Sequence, residues 1–262
     1  MTYIIAVANQ KGGVAKTTTS TSLGGALVLK GYEVLMVDMD PQGDLSLGLG
    51  YQPTKVRHSI TDVLMDSANP LSVSRETTIP GLDLIPSNKD LELSERFLPI
   101  RQDYQFLLRN AINTHIQNSH YDFVLIDCPP SIGAITINAL NAAHMLIVPT
   151  QPEYYSVYAL RNMINLIKRI HASRNIDLNY RILITMKDRR NRIHRELTEQ
   201  LMSTFTENLF DTIIEVDTKL RESSVVGIPI THYSSKSRSS LQYQTLAQEL
   251  LEYVQKGYTQ PA

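Results

Sequence analysis

Val7-Ala8-Asn9-Gln10-Lys11-Gly12-Gly13-Val14-Ala15-Lys16-Thr17-Thr18-Thr19 is the stretch that decides the fold. Ahead of it, Tyr3 to Ala8 is an apolar run with the length and β-branched content of a buried strand. Behind it, Thr17 to Lys30 carries Leu23, Ala26 and Leu27 at helical spacing, and Gly31 stands where a helix stops. A strand that turns through two glycines into a helix gathers backbone N–H groups and the positive helix end at one point, which is the environment anionic phosphates need. Lys16 adds a point charge between the outer phosphates, Thr17 offers its hydroxyl to Mg²⁺, and Thr18 adds a hydrogen bond to an inner phosphate. The general GxxxxGK(S/T) pattern is not met, because Gln10 replaces its first glycine and Ala15 its second. A second lysine, Lys11, opens the loop instead.

Two further apolar runs end in carboxylates. Val34 to Asp38 leads into Met39-Asp40-Pro41-Gln42-Gly43, and Phe123 to Asp127 leads into Cys128-Pro129-Pro130-Ser131. In open parallel sheets the carboxyl edge is where ligands sit, so both runs place aspartates at that edge. Asp127 is suited to hold a magnesium-bound water, while Pro129 and Pro130 stiffen the turn after it. Asp40 is the candidate to orient or deprotonate an attacking water, and Asp38 belongs near the magnesium shell.

The loop with its leading lysine resembles the deviant Walker A box, KGGxxK(S/T), of the ParA/MinD family of ATPases. Val37 to Gly43 and Phe123 to Ser131 are similar to the family's next two boxes, in order and spacing as well as content. The resemblance continues through Pro152-Glu153-Tyr154-Tyr155, Thr185-Met186 and Gly227-Ile228-Pro229-Ile230, and it points to the small ParA/Soj branch. It implies an α/β fold, a mostly parallel twisted sheet with helices on both faces, binding ATP and Mg²⁺ through Lys11, Gly12, Gly13, Val14, Ala15, Lys16, Thr17, Thr18 and Asp127. It gives Asp40 the water-activating role and makes Lys11 a residue that reaches the nucleotide of a second copy in an ATP-dependent homodimer. Met186, Glu215 and Asp217 fall at base-contacting positions, although relatives usually carry proline where Glu215 stands.

Composition narrows the field. A chain of 262 residues, 42% hydrophobic and 19% charged, suits one large α/β domain spanning 1–262. No basic-plus-apolar leader and no apolar run of about 18 residues is visible, so a cytoplasmic protein is expected. The single cysteine, Cys128, excludes an internal disulfide, reads as a small packed residue, and weighs against iron–sulfur relatives of this ATPase class. Seven histidines lie scattered without zinc-ligand spacing. A net charge of −1 means that DNA binding must come from a local patch.

The remaining elements read as scaffold. Leu45 to Pro80 is a connecting region with a capping-box pattern at Ser59 to Asp62, Leu82 to Pro86 a short strand, and Gln102 to Gln117 a helix facing the sheet with Phe106, Leu107, Ala111 and Ile112. Met145 to Pro149 is a strand, and Tyr154 to Ile170 a helix whose stripe of Leu160, Met163, Ile164, Ile167 and Ile170 is core. Arg181 to Met186 and Asp211 to Val216 read as strands, and Leu241 to Gln255 as a docked final helix.

Between those late strands, Lys187 to Arg195 holds five basic side chains and one acidic one. A solvated helix start is one reading. The other is a nonspecific DNA surface built from Arg189, Arg190 and Arg192 with Lys219, Arg221, Lys236 and Arg238. By resemblance, Arg190 and Lys219 fall where relatives hold DNA, with Lys219 keeping the charge of an arginine but not its bidentate reach. The leading expectation is a partition ATPase, nucleoid-associated and working with a ParB-type adaptor. A MinD-like membrane switch is the alternative, disfavoured by Glu249, Glu252 and the polar end Gly257 to Ala262, so no membrane partner is expected. A ligase-like synthase on the same scaffold would need its own polar substrate pocket. Positioning of a protein organelle rather than DNA is equally compatible with such a motor. Ala15 is strained if its backbone needs a positive φ and harmless if it is already helical.

Overall fold

The computed structural model describes residues 1–174 and 178–259. Seven strands, β1 (Tyr3–Val7), β2 (Val34–Asp38), β3 (Arg75–Glu76), β4 (Leu82–Ile85), β5 (Phe123–Asp127), β6 (Met145–Thr150) and β7 (Asn179–Ile184), form one sheet in the order β3-β4-β2-β5-β1-β6-β7. All pairings are parallel except β3 with β4. Every residue of β2 and β5 is buried, as strands covered on both faces must be. Alternation along β1 divides the core: Ile4 and Ala6 face one apolar layer, Ile5 and Val7 the other.

The second layer is covered by α1 (Lys16–Leu29) and the terminal helix, called α12 below (Arg238–Thr259). Between them in sequence lie α2 (Asp44–Gly48), α3 (Ile60–Asp66), α4 (Pro70–Val73), α5 (Leu91–Phe97), α6 (Leu107–His115), α7 (Ala134–Ala142), α8 (Ser156–Arg174), α9 (Arg192–Thr204), α10 (Thr218–Val226) and α11 (Ile230–Tyr233). Leu23 and Leu27 of α1 share this layer with Leu246 and Leu250 of α12, and Thr19 Oγ1 lies 3.3 Å from Tyr243 Oη. At Gly24 and Gly25 the helix approaches its neighbours so closely that a Cβ would lie 2.8 Å from Met36 Sδ and 2.6 Å from Pro229 Cβ, respectively. These contacts fix the helix whose first turn forms the phosphate loop.

The structure reports four departures from the sequence expectations. The capping box expected at Ser59 is present on α3, with the Ser59 amide donating to Asp62 Oδ2 at 2.8 Å, but the connecting region also holds two further short helices, α2 and α4. The helix expected from Gln102 starts only at Leu107, and its buried face is Leu108 and Ile112, with Phe106 and Leu107 half-buried. The helix after β6 starts two residues late, at Ser156, and Ile164 is only half-buried while Leu166 joins the core. Asp211 to Val216 is not a strand: it follows β7 through single bonds, Phe210 N–H to Ile182 O and Ile214 N–H to Ile184 O, plus one isolated bridge at Glu215. The cause is local, since the Glu249 carboxylate accepts the amides of Asp211 and Thr212 at 2.7 and 3.1 Å and bends the chain away from ladder geometry.

Candidate active site

Beyond β1 the chain is pinned before it turns. Asn9 donates from Nδ2 to Pro149 O at 2.8 Å and accepts the Lys11 amide on Oδ1 at 3.0 Å. Thr185 Oγ1 donates to Val14 O at 3.0 Å, and Gln151 Nε2 to Gly13 O at 3.1 Å. The loop's carbonyls are thereby turned outward to the protein, and its amides remain for a ligand. Nothing lies within 4 Å of a Cβ built on Gly12 or Gly13, and Gly13 has φ 72°. Ala15 sits at φ 66°, in the left-handed region, and supplies no side-chain cap to α1. The strained alternative for Ala15 therefore holds, at a cost of about 1–2 kcal/mol.

Behind the loop, Asp38 and Asp127 are adjacent in the β2–β5 register and both fully buried. Thr17 Oγ1 donates to Asp127 Oδ2 at 2.7 Å and Ser20 Oγ to Asp127 Oδ1 at 2.9 Å. Ser46 donates to Asp38 Oδ2 from both its amide (2.8 Å) and its hydroxyl (2.6 Å). Burial pushes Asp127 up to about 8, aided by the Asp38 charge, and pushes Asp38 up to about 7 against its bonds from Ser46. Two buried carboxylates beside a threonine hydroxyl form an oxygen set that a hard divalent cation would neutralise, so the residues fit Mg²⁺. Burial also raises Asp40, which is half-exposed and accepts the Gln42 amide at 2.9 Å, and lowers Lys16, whose Nζ lies 3.4 Å from Lys11 O.

Next to Thr18, a cavity is walled by Ala15, Met186, Ile214, Glu215, Asp217 and Tyr243, which brings together beside the loop the three residues that the resemblance assigns to the base. Met186 shares the left-handed backbone of Ala15, at φ 54°. The Asp217 carboxylate caps α10 through the Lys219 amide (3.0 Å) and holds the start of α12 through Ser239 (2.9 Å). Lys11 is turned toward Glu153 of its own chain and pairs with that carboxylate.

The seven basic candidates separate. Arg189, Lys236 and Arg238 line one open groove with Gln242 and Glu249. Arg190 is almost fully exposed, 3.4 Å from Asp188, and Arg192 pairs with Glu196 at 2.7 Å on the surface of α9. Lys219 pairs with Glu222 at 2.7 Å on α10, and Arg221 lines the base cavity rather than the groove. Ser20, Ser46, Asn9, Gln151 and Thr185 were not among the candidates from sequence. Ser20 had a signal, since it lies three residues after Thr17 on the same helix face; Ser46 follows from the local turn between β2 and α2, while Asn9, Gln151 and Thr185 depend on contacts between distant segments.

A phosphate loop at the carboxyl edge of a parallel sheet, with paired aspartates in register behind it, defines a P-loop nucleotide hydrolase. The AAA domain family matches residues 2–180. The chain is 38% identical over 251 residues to the sporulation initiation inhibitor protein Soj of Bacillus subtilis, covering 95% of this chain and 98% of that protein. It is 37% identical over 249 residues to the chromosome partitioning protein ParA of Caulobacter vibrioides, covering 95% and 93%. Its fold superposes at TM-score 0.86, with 33% identity and coverage of 100% and 99%, on cobyrinic acid a,c-diamide synthase from Mycobacterium smegmatis with bound ATP analogue and magnesium. The chain belongs to the ParA/Soj group of deviant Walker A ATPases and hydrolyses ATP with Mg²⁺ as its cofactor.

Proposed function

We propose that this protein is an ATP-dependent DNA-partition motor acting as one ATPase domain over 1–262, in which two copies close over two ATP molecules and the closed dimer holds nucleoid DNA nonspecifically. The observation that carries the reading is the convergence of Lys16, Thr17, Asp38, Asp40 and Asp127 on one sheet edge beside an open glycine cradle. Lys16 and the loop amides hold the outer phosphates, Thr18 an inner one, and Met186, Glu215 and Asp217 wall the base. Thr17 with Asp38 and Asp127 would hold Mg²⁺, which when bound would supply charge neutralisation at the terminal phosphates. Asp40 orients and deprotonates the attacking water; its partial burial suits a carboxylate that must take up a proton. Lys11 leaves Glu153 and reaches the partner's nucleotide, so that hydrolysis waits on closure, and such inserted cations contribute roughly 10³ to 10⁵ in rate.

Arg189, Arg190, Arg192, Lys219, Lys236 and Arg238 supply the DNA-facing charge, Arg221 having turned to the cavity beside the phosphate loop, and a ParB-type adaptor in the cytoplasm stimulates turnover and carries the cargo. Among the described residues no helix is long and apolar enough to cross a membrane. The test is DNA retention with ATP, ADP and no nucleotide, for the native protein and for Lys16→Ala, Asp40→Ala and Arg190→Glu. ATP alone should support retention by the native protein, and Lys16→Ala should lose it. A monomer at saturating non-hydrolysable ATP analogue would overturn the reading. The likeness to the diamide synthase gives a second reading, a small-molecule synthase, which would be favoured by metabolite-dependent ATP turnover without DNA.

A further inference from the structure

Glu215 stands at the boundary of the two functional regions. It lines the base cavity with Ala15 and Met186, and its side chain is only 8% exposed. Its carboxylate nevertheless pairs with two arginines of the open groove, whose walls also carry Asp211, Glu249 and Glu252: Arg189 Nε donates to Oε1, and Arg238 Nε lies 3.3 Å from Oε2. A buried carboxylate needs a counter-charge, and two guanidiniums supply it. Both arginines line the groove with Lys236, and both remain partly exposed. Arg238 is the looser arm. Oε2 accepts no aligned hydrogen bond, and the arginine spends Nη2 on Val216 O at 2.5 Å. The proline that the family resemblance puts at this position could not make either pairing.

We propose that Glu215 is a brake on the DNA groove: it tethers Arg189 and Arg238 inward, and a nucleotide base entering the shared cavity loosens that hold and hands both guanidiniums to phosphate. This rests on the DNA-binding reading above. Because Glu215 lines the cavity while its carboxylate pairs with two arginines of the groove, nucleotide affinity and DNA affinity are linked through it, each raising the other by the same factor.

The test is the salt dependence of DNA binding by nucleotide-free protein, where dimer closure does not enter. Each phosphate contact contributes a slope of about 0.9, so releasing two arginines in Glu215→Gln should steepen it by up to about 1.8 per protomer. That makes binding roughly twelvefold more sensitive to a change from about 50 to 200 mM salt. Adding Arg189→Gln and Arg238→Gln to Glu215→Gln should cancel the gain. In the native protein the same two arginine substitutions, made singly, should leave the nucleotide-free slope unchanged and reduce the ATP-bound slope by about 0.9 each; this arm needs no substitution at Glu215. A Glu215→Gln slope equal to or below that of the native protein, or arginine substitutions that act equally with and without ATP, would overturn the brake. Native protein that holds no DNA with ATP would instead remove the partition reading itself.

Discussion

The phosphate end of the sheet and the basic groove are built in opposite ways. At the phosphate end, contiguous residues of one loop meet two strand ends, and the buried aspartates and the loop backbone are pinned: Asp127 by Thr17 and Ser20, Asp38 by Ser46, and the loop by Asn9, Gln151 and Thr185. The groove joins Arg189 to Lys236 and Arg238 from the start of the last helix, with Asp211, Glu249 and Glu252 along the same walls and the buried Glu215 carboxylate behind two of the arginines. A site that must place reacting atoms needs rigid backbone and short side chains. A surface that only attracts phosphate tolerates long, mobile ones. The difference teaches that chemistry and anchoring can be perturbed separately, and it can be tested by breaking each region in turn.

The largest effect belongs to the groove. If each protomer supplies three to five phosphate contacts, the ATP-bound dimer makes roughly six to ten, and its DNA affinity should fall about 10³ to 10⁵-fold between about 50 and 200 mM salt. ATP hydrolysis without DNA should change far less over the same range, because the phosphate site is shielded from bulk ions; parallel collapse of both would erase the contrast between the regions. Next comes Asp40→Ala. General-base catalysis is worth roughly 10² to 10⁴, and turnover should drop by that much while ATP-dependent DNA retention persists. Loss of nucleotide binding in that variant would mean Asp40 serves the phosphate cradle and not the water.

The paired aspartates give the phosphate end a pH signature. Asp38 and Asp127 are held above their ordinary value of 3.8 by burial, to about 7 and about 8. Between pH ~4 and those values the folded magnesium-free protein therefore binds more protons than the unfolded chain, and stability falls as pH rises through that window. Melting of the magnesium-free protein should drop from pH 5 to pH 8, and Mg²⁺ should flatten the dependence by compensating the ionised pair. Asp127→Asn should raise the magnesium-free melting temperature at pH 8 and lose the response to Mg²⁺. A melting temperature that climbs steadily to pH 8 would show that the pair is ionised without cost.

What could be read from the sequence follows the same division. The sheet, the loop and both aspartates were legible because each is written in consecutive residues: Val34 to Asp38 and Phe123 to Asp127 announce themselves as buried runs ending in a carboxylate. Asp211 to Val216 misled because its apolar pattern carries no mark of Glu249, a residue on the last helix that takes its amides. The stripe expected after Gln102 holds at Leu107, Ala111 and Ile112 and gains Leu108, while Phe106 falls in a 3-10 turn at Tyr104–Phe106 that precedes α6. The seven cations were legible as charge but not as a surface. Only folding shows that Arg221 turns to the base cavity, that Lys219 and Arg192 are paired along their helices, and that Arg189 and Arg238 share Glu215.

Ala15 offers the smallest effect and the sharpest test of how rigid the phosphate end is. Its left-handed backbone costs about 1–2 kcal/mol for an alanine, and Ala15→Gly would recover that strain. Glycine also frees the unfolded chain, which takes back roughly 0.4–1 kcal/mol, so the net gain in stability should be of order 0.5–1 kcal/mol. For a chain of this size that corresponds to a rise in melting temperature of about 1–4 °C. ATP affinity discriminates further. If the loop keeps the same backbone when nucleotide binds, strain is present in both states and cancels, so Ala15→Gly should melt higher with unchanged affinity. If binding is what forces the left-handed turn, the affinity gain should approach the full strain, roughly five- to thirtyfold. The bonds from Thr185 and Gln151 to the loop carbonyls hold the turn without any ligand, so the first outcome is expected. A tenfold gain in ATP affinity with no change in melting would show that these buttresses leave the loop free to relax.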